Sequence, residues 1–191
     1  MVLWPVAVAL AIAAAAALGR FAVPRLERIR KGRLGERLVT ELLEQLPDDY
    51  YLVNDLAIEG SGGNIDHVVV GPCGVVVIET KRWAGNVRCD RDRWWVDGWP
   101  RRSVSRQVNR GAAALRQWLA GRHPDLYSAS AFIQSIAVFT HPRCRLELNH
   151  ARTTVARYSE LLQVLLCQGQ ERRMPSGIAG RLAQSLAGAH S

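Results

Sequence analysis

Cysteine is scarce and unpatterned in this 191-residue chain: Cys73, Cys89, Cys144 and Cys167 are scattered, with no CxxC spacing. That argues against a structural zinc module and gives no disulfide framework. A domain of this size buries its own core, so free thiols in a reducing compartment are the simplest expectation. Phosphate-binding P-loops and dinucleotide fingerprints are missing, and there is no internal repeat. His141 and His150 flank turns without a partner at ligand spacing, and no serine, histidine and acid arrangement offers a nucleophilic triad. Proline is low, at 8 residues. What is present is a globular composition, 48% apolar and 22% charged, with room for one domain and a short appendage. The formal charge of +8, from 25 basic against 17 acidic residues, suits an anionic partner, nucleic acid or anionic lipid. Almost all of the basic residues are arginine, which contacts phosphate in bidentate fashion.

Charge of either sign is missing from Met1 to Gly19, a stretch of mostly Ala, Val, Leu and Ile. As a helix it covers roughly 28 Å, about a bilayer core. A secretory signal would carry positive charge before the apolar run. Here the charge follows it, in Arg20, Arg25, Arg28, Arg30, Lys31 and Arg33, opposed by Glu27. The expectation is a single-pass membrane anchor over residues 1–23 and a basic juxtamembrane segment over 24–32 lying on anionic lipid. The domain then falls on the cytoplasmic side.

Beyond the anchor, Arg33 to Leu46 has a helical pattern ended by Pro47. Tyr50 to Ile58 reads as a strand interrupted around Asn54-Asp55, and glycine-rich Glu59 to Asn64 as a loop. His67 to Val70 and Val75 to Ile78, joined by Gly71-Pro72-Cys73-Gly74, give the clearest hairpin signal. Trp83 to Arg102 predicts short strands or extended loops. Val104 to Leu119 predicts a helix with Val104, Val108, Gly111, Leu115 and Leu119 on one side. Phe132 to Phe139 reads as a strand, Thr154 to Leu166 as an amphipathic helix, and Gly177 to Leu186 as a weak last helix. The order implies an α/β domain, a mixed sheet with helices packed on it.

Pairing Val70 with Val75 across the turn sets Asp66 opposite Glu79, with Lys81 two residues further on the same face. Opposed residues have Cβ atoms roughly 5 Å apart. Two carboxylates 4 Å apart repel by about 4 kcal/mol at an effective dielectric of 20, and Lys81 relieves part of this. A hard divalent cation, magnesium or manganese, relieves it directly. Glu36 falls at the edge of the apolar arc of Leu38, Val39, Leu42, Leu43 and Leu46, near the helix-sheet boundary. Gln107 has a similar borderline position beside Val108. Taken singly, a surface glutamate, a solvated strand end and a turn cap account for these residues, but their convergence is harder to explain as structure alone. His67 alternates to the opposite face. Trp83, Trp94, Trp95 and Trp99, interleaved with Arg82, Arg88, Arg91, Arg93, Arg101 and Arg102, fit either base stacking and phosphate contact or core aromatics under a charged outer face.

Several pieces together resemble the nuclease-related domain (NERD) family, a branch of the restriction-endonuclease-like PD-(D/E)xK superfamily. They are Gly35-Glu36, Asn54-Asp55, Asn64 to Val70, Gly74 to Lys81, Trp83-Ala84-Gly85 and Gln107, spread over roughly residues 32–140. The resemblance implies a restriction-endonuclease-like core over residues 33–168, with a weakly structured tail over 169–191. It implies that Asp66 and Glu79 bind Mg²⁺ or Mn²⁺, that Glu36 assists as a third acid, and that Lys81 orients or polarises the attacking water. Gln107 matches a polar helix residue of related nucleases. Arg82, Arg88, Arg93, Arg101 and Arg102 are then candidate nucleic-acid contacts. The function expected is metal-dependent hydrolysis of DNA phosphodiester bonds by a membrane-tethered nuclease. The alternative is a tethered module that binds nucleic acid or protein without cleaving it.

Overall fold

The computed structural model describes residues 26–27, 29–129, 133–169 and 174–190. The chain divides into two units, Met1–Leu34 and Gly35–Ser191. In the first, the described residues are helical. The expected anchor over residues 1–23 lies outside the described residues, among which no helix is long and apolar enough to cross a membrane.

The second unit begins with helix α1, residues 35–43. Its apolar arc does what the periodicity predicts: Val39 and Leu43 are buried, and Leu38, Leu42 and Leu46 are half-buried. Then come β1 (Tyr51–Leu56), β2 (Ile65–Gly71) and β3 (Gly74–Lys81), an antiparallel meander. The turn between β2 and β3 is tighter than the four residues expected, since Gly71 pairs with Gly74 and only Pro72 and Cys73 lie between. Gly74 sits at φ 89°, a left-handed conformation that suits glycine and closes such a hairpin. The ladder runs Val70 with Val75, Val69 with Val76, Val68 with Val77 and His67 with Ile78, which is the expected register. Both strands are buried on both faces, as their unbroken β-branched runs suit.

After β3 the chain builds a second sheet, from β4 (Gly85–Asp90), β5 (Arg93–Val96) and β6 (Trp99–Arg101). The helix α2 (Val104–Arg122) follows, capped by the Ser103 hydroxyl, which accepts from the Arg106 amide at 3.2 Å. A short α3 (Pro124–Ala129) leads to β7 (Ile133–Phe139), which lies parallel to β3. The strand β8 (Cys144–Asn149) pairs parallel with β4. With a ninth strand, β9 (Thr154–Arg157), the sheet orders are β1-β2-β3-β7-β9 and β6-β5-β4-β8. The parallel pair β3/β7 thus continues, through a bend, as β4/β8. The Thr140 amide bonds the Lys81 carbonyl and the Gly85 amide bonds the Arg143 carbonyl, which carries the pairing across that bend.

Two expectations are corrected in the C-terminal third. Thr154 to Leu166 is not one helix: Thr154–Arg157 is β9, parallel to β7, and the helix α4 starts only at Leu161 after a 3-10 turn. The edge of β7 takes up β-branched Thr154 and Val155, and tertiary pairing overrides the helical pattern. The tail is more ordered than expected, because α5 (Ser176–Ala187) packs Ala179, Leu182 and Leu186 fully into the core. One face of the first sheet is covered by α2 and α5, the other by α1 and α4. The second sheet packs Val87, Cys89, Trp94 and Val96 against Val104 and Phe139.

Candidate active site

The β2–β3 ladder stops at His67 and Ile78, and the acids stand where the two strands part. Asp66 is the next residue of β2, half-buried, and Glu79 the next of β3, 5% exposed. In place of another ladder pair, Asp66 Oδ2 accepts the Thr80 amide at 2.7 Å. Lys81 turns back on its own strand and donates to Glu79 Oε1, and it also donates to Gln107 Oε1 on α2 at 3.2 Å. α2 approaches the hairpin closely at Gly111, where a Cβ would stand 3.2 Å from Ile65 Cγ1. That approach, together with Val108 in the core one residue beyond Gln107, holds the glutamine over the end of β3.

Glu36 comes from the helix on the other face of the sheet. Gly35 makes this possible, since a Cβ there would lie 3.1 Å from Thr140 Oγ1 and 3.2 Å from Thr80 Cγ2. With α1 this close to β3, the half-buried Glu36 is near enough for its charge to act on both Asp66 and Glu79.

Burial and mutual repulsion give the pair unusual proton affinity. Burial first, and then the Glu79 charge, push Asp66 up to about 7, against the pull of the Thr80 amide and Lys81. Glu79 is also raised, by burial, with Lys81 opposing. Without a counter-cation the two acids therefore resist carrying two negative charges near neutral pH. Asp66 Oδ2 and Glu79 Oε1 are engaged, which leaves Oδ1 and Oε2 as hard-oxygen donors. Among the described residues no three His, Cys, Asp or Glu side chains are grouped to hold a metal ion. The donor set is two carboxylates, and magnesium, which keeps several waters and one or two carboxylates, is the kind of ion such a set fits.

His67 lies on the opposite face, 1% exposed, with Nδ1 2.8 Å from Asn54 Oδ1. Burial lowers it to about 4, so it is a neutral core histidine.

A groove of about 690 Å³ is lined in part by Gln107, the residue that accepts from Lys81. Its cationic wall is made by Arg93, Arg101, Arg102, Arg106 and Arg110, and the acid on it, Asp92, stands 3.6 Å from Arg152. Of the five arginines expected to contact nucleic acid, Arg93, Arg101 and Arg102 are here. Arg82 is instead half-buried beside Gly35, and the Arg88 guanidinium stacks on the Trp95 ring at 5.1 Å. Arg106 and Arg110 were not anticipated. Their signal was available, because Ser103, Arg106, Gln107 and Arg110 recur at helical spacing on the face of α2 opposite its buried stripe. The tryptophans divide between core and surface. Trp94 is buried and stacked on Phe139 at 5.6 Å, while Trp99 is 72% exposed.

No solved structure matches the chain. An uncharacterized protein of Bacillus anthracis is 30% identical over 126 residues, which cover 61% of this chain and 56% of that protein. The family model described as nuclease-related domain matches residues 31–140, more than half of the sequence and every element that supplies the five convergent side chains. The chain belongs to the nuclease-related domain (NERD) family, a group of the PD-(D/E)xK kind.

Proposed function

We propose that this protein is a DNA phosphodiester hydrolase dependent on Mg²⁺ or Mn²⁺, built on a restriction-endonuclease-like core and tethered by residues 1–23 to the cytoplasmic side of a membrane. The reading rests above all on one observation: two buried carboxylates, both raised in proton affinity, share one strand end with Lys81 and Gln107. Family membership supports the nuclease class. The uncharged stretch of residues 1–19, followed by basic residues, supports the tether and a contact between residues 24–32 and anionic lipid.

Asp66 Oδ1 and Glu79 Oε2 would hold the cation, with Glu36 as an assisting acid. When bound, such a cation activates a water and offsets charge developing on the phosphate. Lys81, clamped between Glu79 and Gln107, places a fixed positive charge at the rim where a phosphate oxygen would lie. Gln107 accepts from Lys81 through Oε1, which leaves its amide nitrogen to donate toward the groove. The groove arginines position the backbone by phosphate contacts, which carry no sequence information.

The full chain in mild detergent, incubated with supercoiled plasmid and Mg²⁺ or Mn²⁺, nicks it, and EDTA stops the reaction. Asp66→Asn and Glu79→Gln lower the rate by about 100-fold or more, as loss of preorganised charge stabilisation does. Equal nicking by either variant would remove the assignment of the two acids, and no nicking by the native chain in either metal would leave the non-catalytic binding module.

A further inference from the structure

The groove and the exposed indole beside it carry a narrower reading, which rests on the nuclease proposal for its relevance. We infer that the substrate is engaged as an unpaired DNA strand, with its backbone along the α2 arginines and a base stacked on Trp99.

Strand pairing gives the geometry. Trp99 pairs with Val96 and Arg101 with Trp94, so Trp99 and Arg101 project on the face of the sheet that buries Trp94 and Val96. β6 is the edge strand. The face runs past the core there, so Trp94 is 1% exposed and Trp99 is 72% exposed. Burial does not account for that indole, and the Pro100 beside it already protects the edge from pairing with another strand. Arg101, two residues along on the same face, lines the groove. The groove then continues along α2 through Arg106 and Arg110 to Gln107, which is bonded to Lys81. An exposed aromatic platform thus leads, by way of guanidinium groups, to Gln107, which is joined through Lys81 to Glu79.

The chemistry of the platform favours one strand over two. A base stacked and paired within a duplex presents its ring face to its neighbours and not to a side chain, whereas an unpaired base is free to stack on the exposed indole of Trp99. A cationic track with an aromatic side chain on which bases stack is the usual means of holding single strands without sequence preference.

The test is performed in EDTA, so that binding is read without cleavage. A labelled 20-nucleotide single strand and the corresponding duplex are titrated by fluorescence anisotropy with the full chain in mild detergent. The single strand is expected to bind at least ten-fold more tightly. Trp99→Ala weakens it at least five-fold, and Trp99→Phe restores most of the loss. Arg106→Ala weakens both substrates. Circular dichroism checks that each variant is folded, which the exposure of Trp99 makes a mild demand. Duplex binding as tight as single-strand binding, or a folded Trp99→Ala with unchanged affinity, overturns the inference and leaves the nuclease proposal to its own plasmid assay. Strand binding through Trp99 with no cleavage in any divalent metal does the reverse.

Discussion

Asp66 and His67 are neighbours in β2 that face opposite sides of the sheet and have opposite proton preferences. Asp66, raised from 3.8 to about 7, binds its proton more tightly folded than unfolded. Its contribution to stability is therefore complete below about pH 4 and is lost as pH rises to about 7. His67, lowered from 6.5 to about 4, binds its proton more tightly unfolded. Its contribution is complete above about pH 6.5 and is lost as pH falls toward 4. Each gives a slope of up to about 1.4 kcal/mol per pH unit, of opposite sign, over the shared window. Glu79, also raised, adds to the sign of Asp66. In EDTA, urea midpoints should fall from pH 5 to pH 7 in the native chain, because Asp66 and Glu79 together outweigh His67. Asp66→Asn should flatten that fall, and His67→Gln should steepen it. Parallel curves for all three proteins would contradict the assignment. Asp66→Asn should also be the more stable protein at pH 7, by about 1 kcal/mol or more, because a repulsive site is relieved at the cost of function. The register that carries Asp66 and Glu79 to the end of the hairpin was legible in its apolar run. The burial that raises both, and the Lys81–Gln107 link, required α2 to be in place.

The hairpin register could be read because a one-residue slip would turn every valine of one strand to the wrong face. No comparable pin acts on β8, whose short alternation Cys144-Arg145-Leu146-Glu147-Leu148-Asn149 is half-buried or exposed, and it was missed. β9 was hidden because Thr154 to Arg157 runs directly into a helical pattern, and the available edge of β7 decides its state. α1 depends on a single glycine for its approach to the site. Gly to Ala within a helix ordinarily stabilises by about 1 kcal/mol, but at Gly35 the added methyl meets Thr140, Thr80 and Arg82 at 3.1 to 3.3 Å. Gly35→Leu should displace α1 from β3 and draw Glu36 away from the acids. Nicking is expected to drop about ten-fold or more, while far-ultraviolet circular dichroism stays native. Full activity in this variant would show that Glu36 and its helix do not serve the site.

Over the whole molecule, the charge of +8 matters through its placement. Composition indicated an anionic partner but not where it lies, and of the five arginines singled out from the sequence Arg82 packs beside Gly35 while Arg88 and Arg93 both lie over the Trp95 ring. Of the five arginines on the groove, Arg93 is paired with Asp90 at 2.8 Å, so the other four predict a salt dependence for single-strand binding with a slope of log Kobs against log salt of about −2.8 at full engagement. Arg106→Ala with Arg110→Ala should reduce that magnitude by about 1.4, and an unchanged slope would place the phosphates elsewhere.

The central claim is that Asp66 and Glu79 together hold a divalent cation, and calorimetric titration of the full chain with Mn²⁺ at pH 6.5 tests it most directly. Run in two buffers of different ionisation heat beside Asp66→Asn, the native chain should bind Mn²⁺ and release about one proton, since the buried pair retains one at that pH. Affinity should rise with pH up to about 7, and the variant should show no such binding. Equal Mn²⁺ affinity in the native chain and the variant, or binding without proton release, would contradict the account.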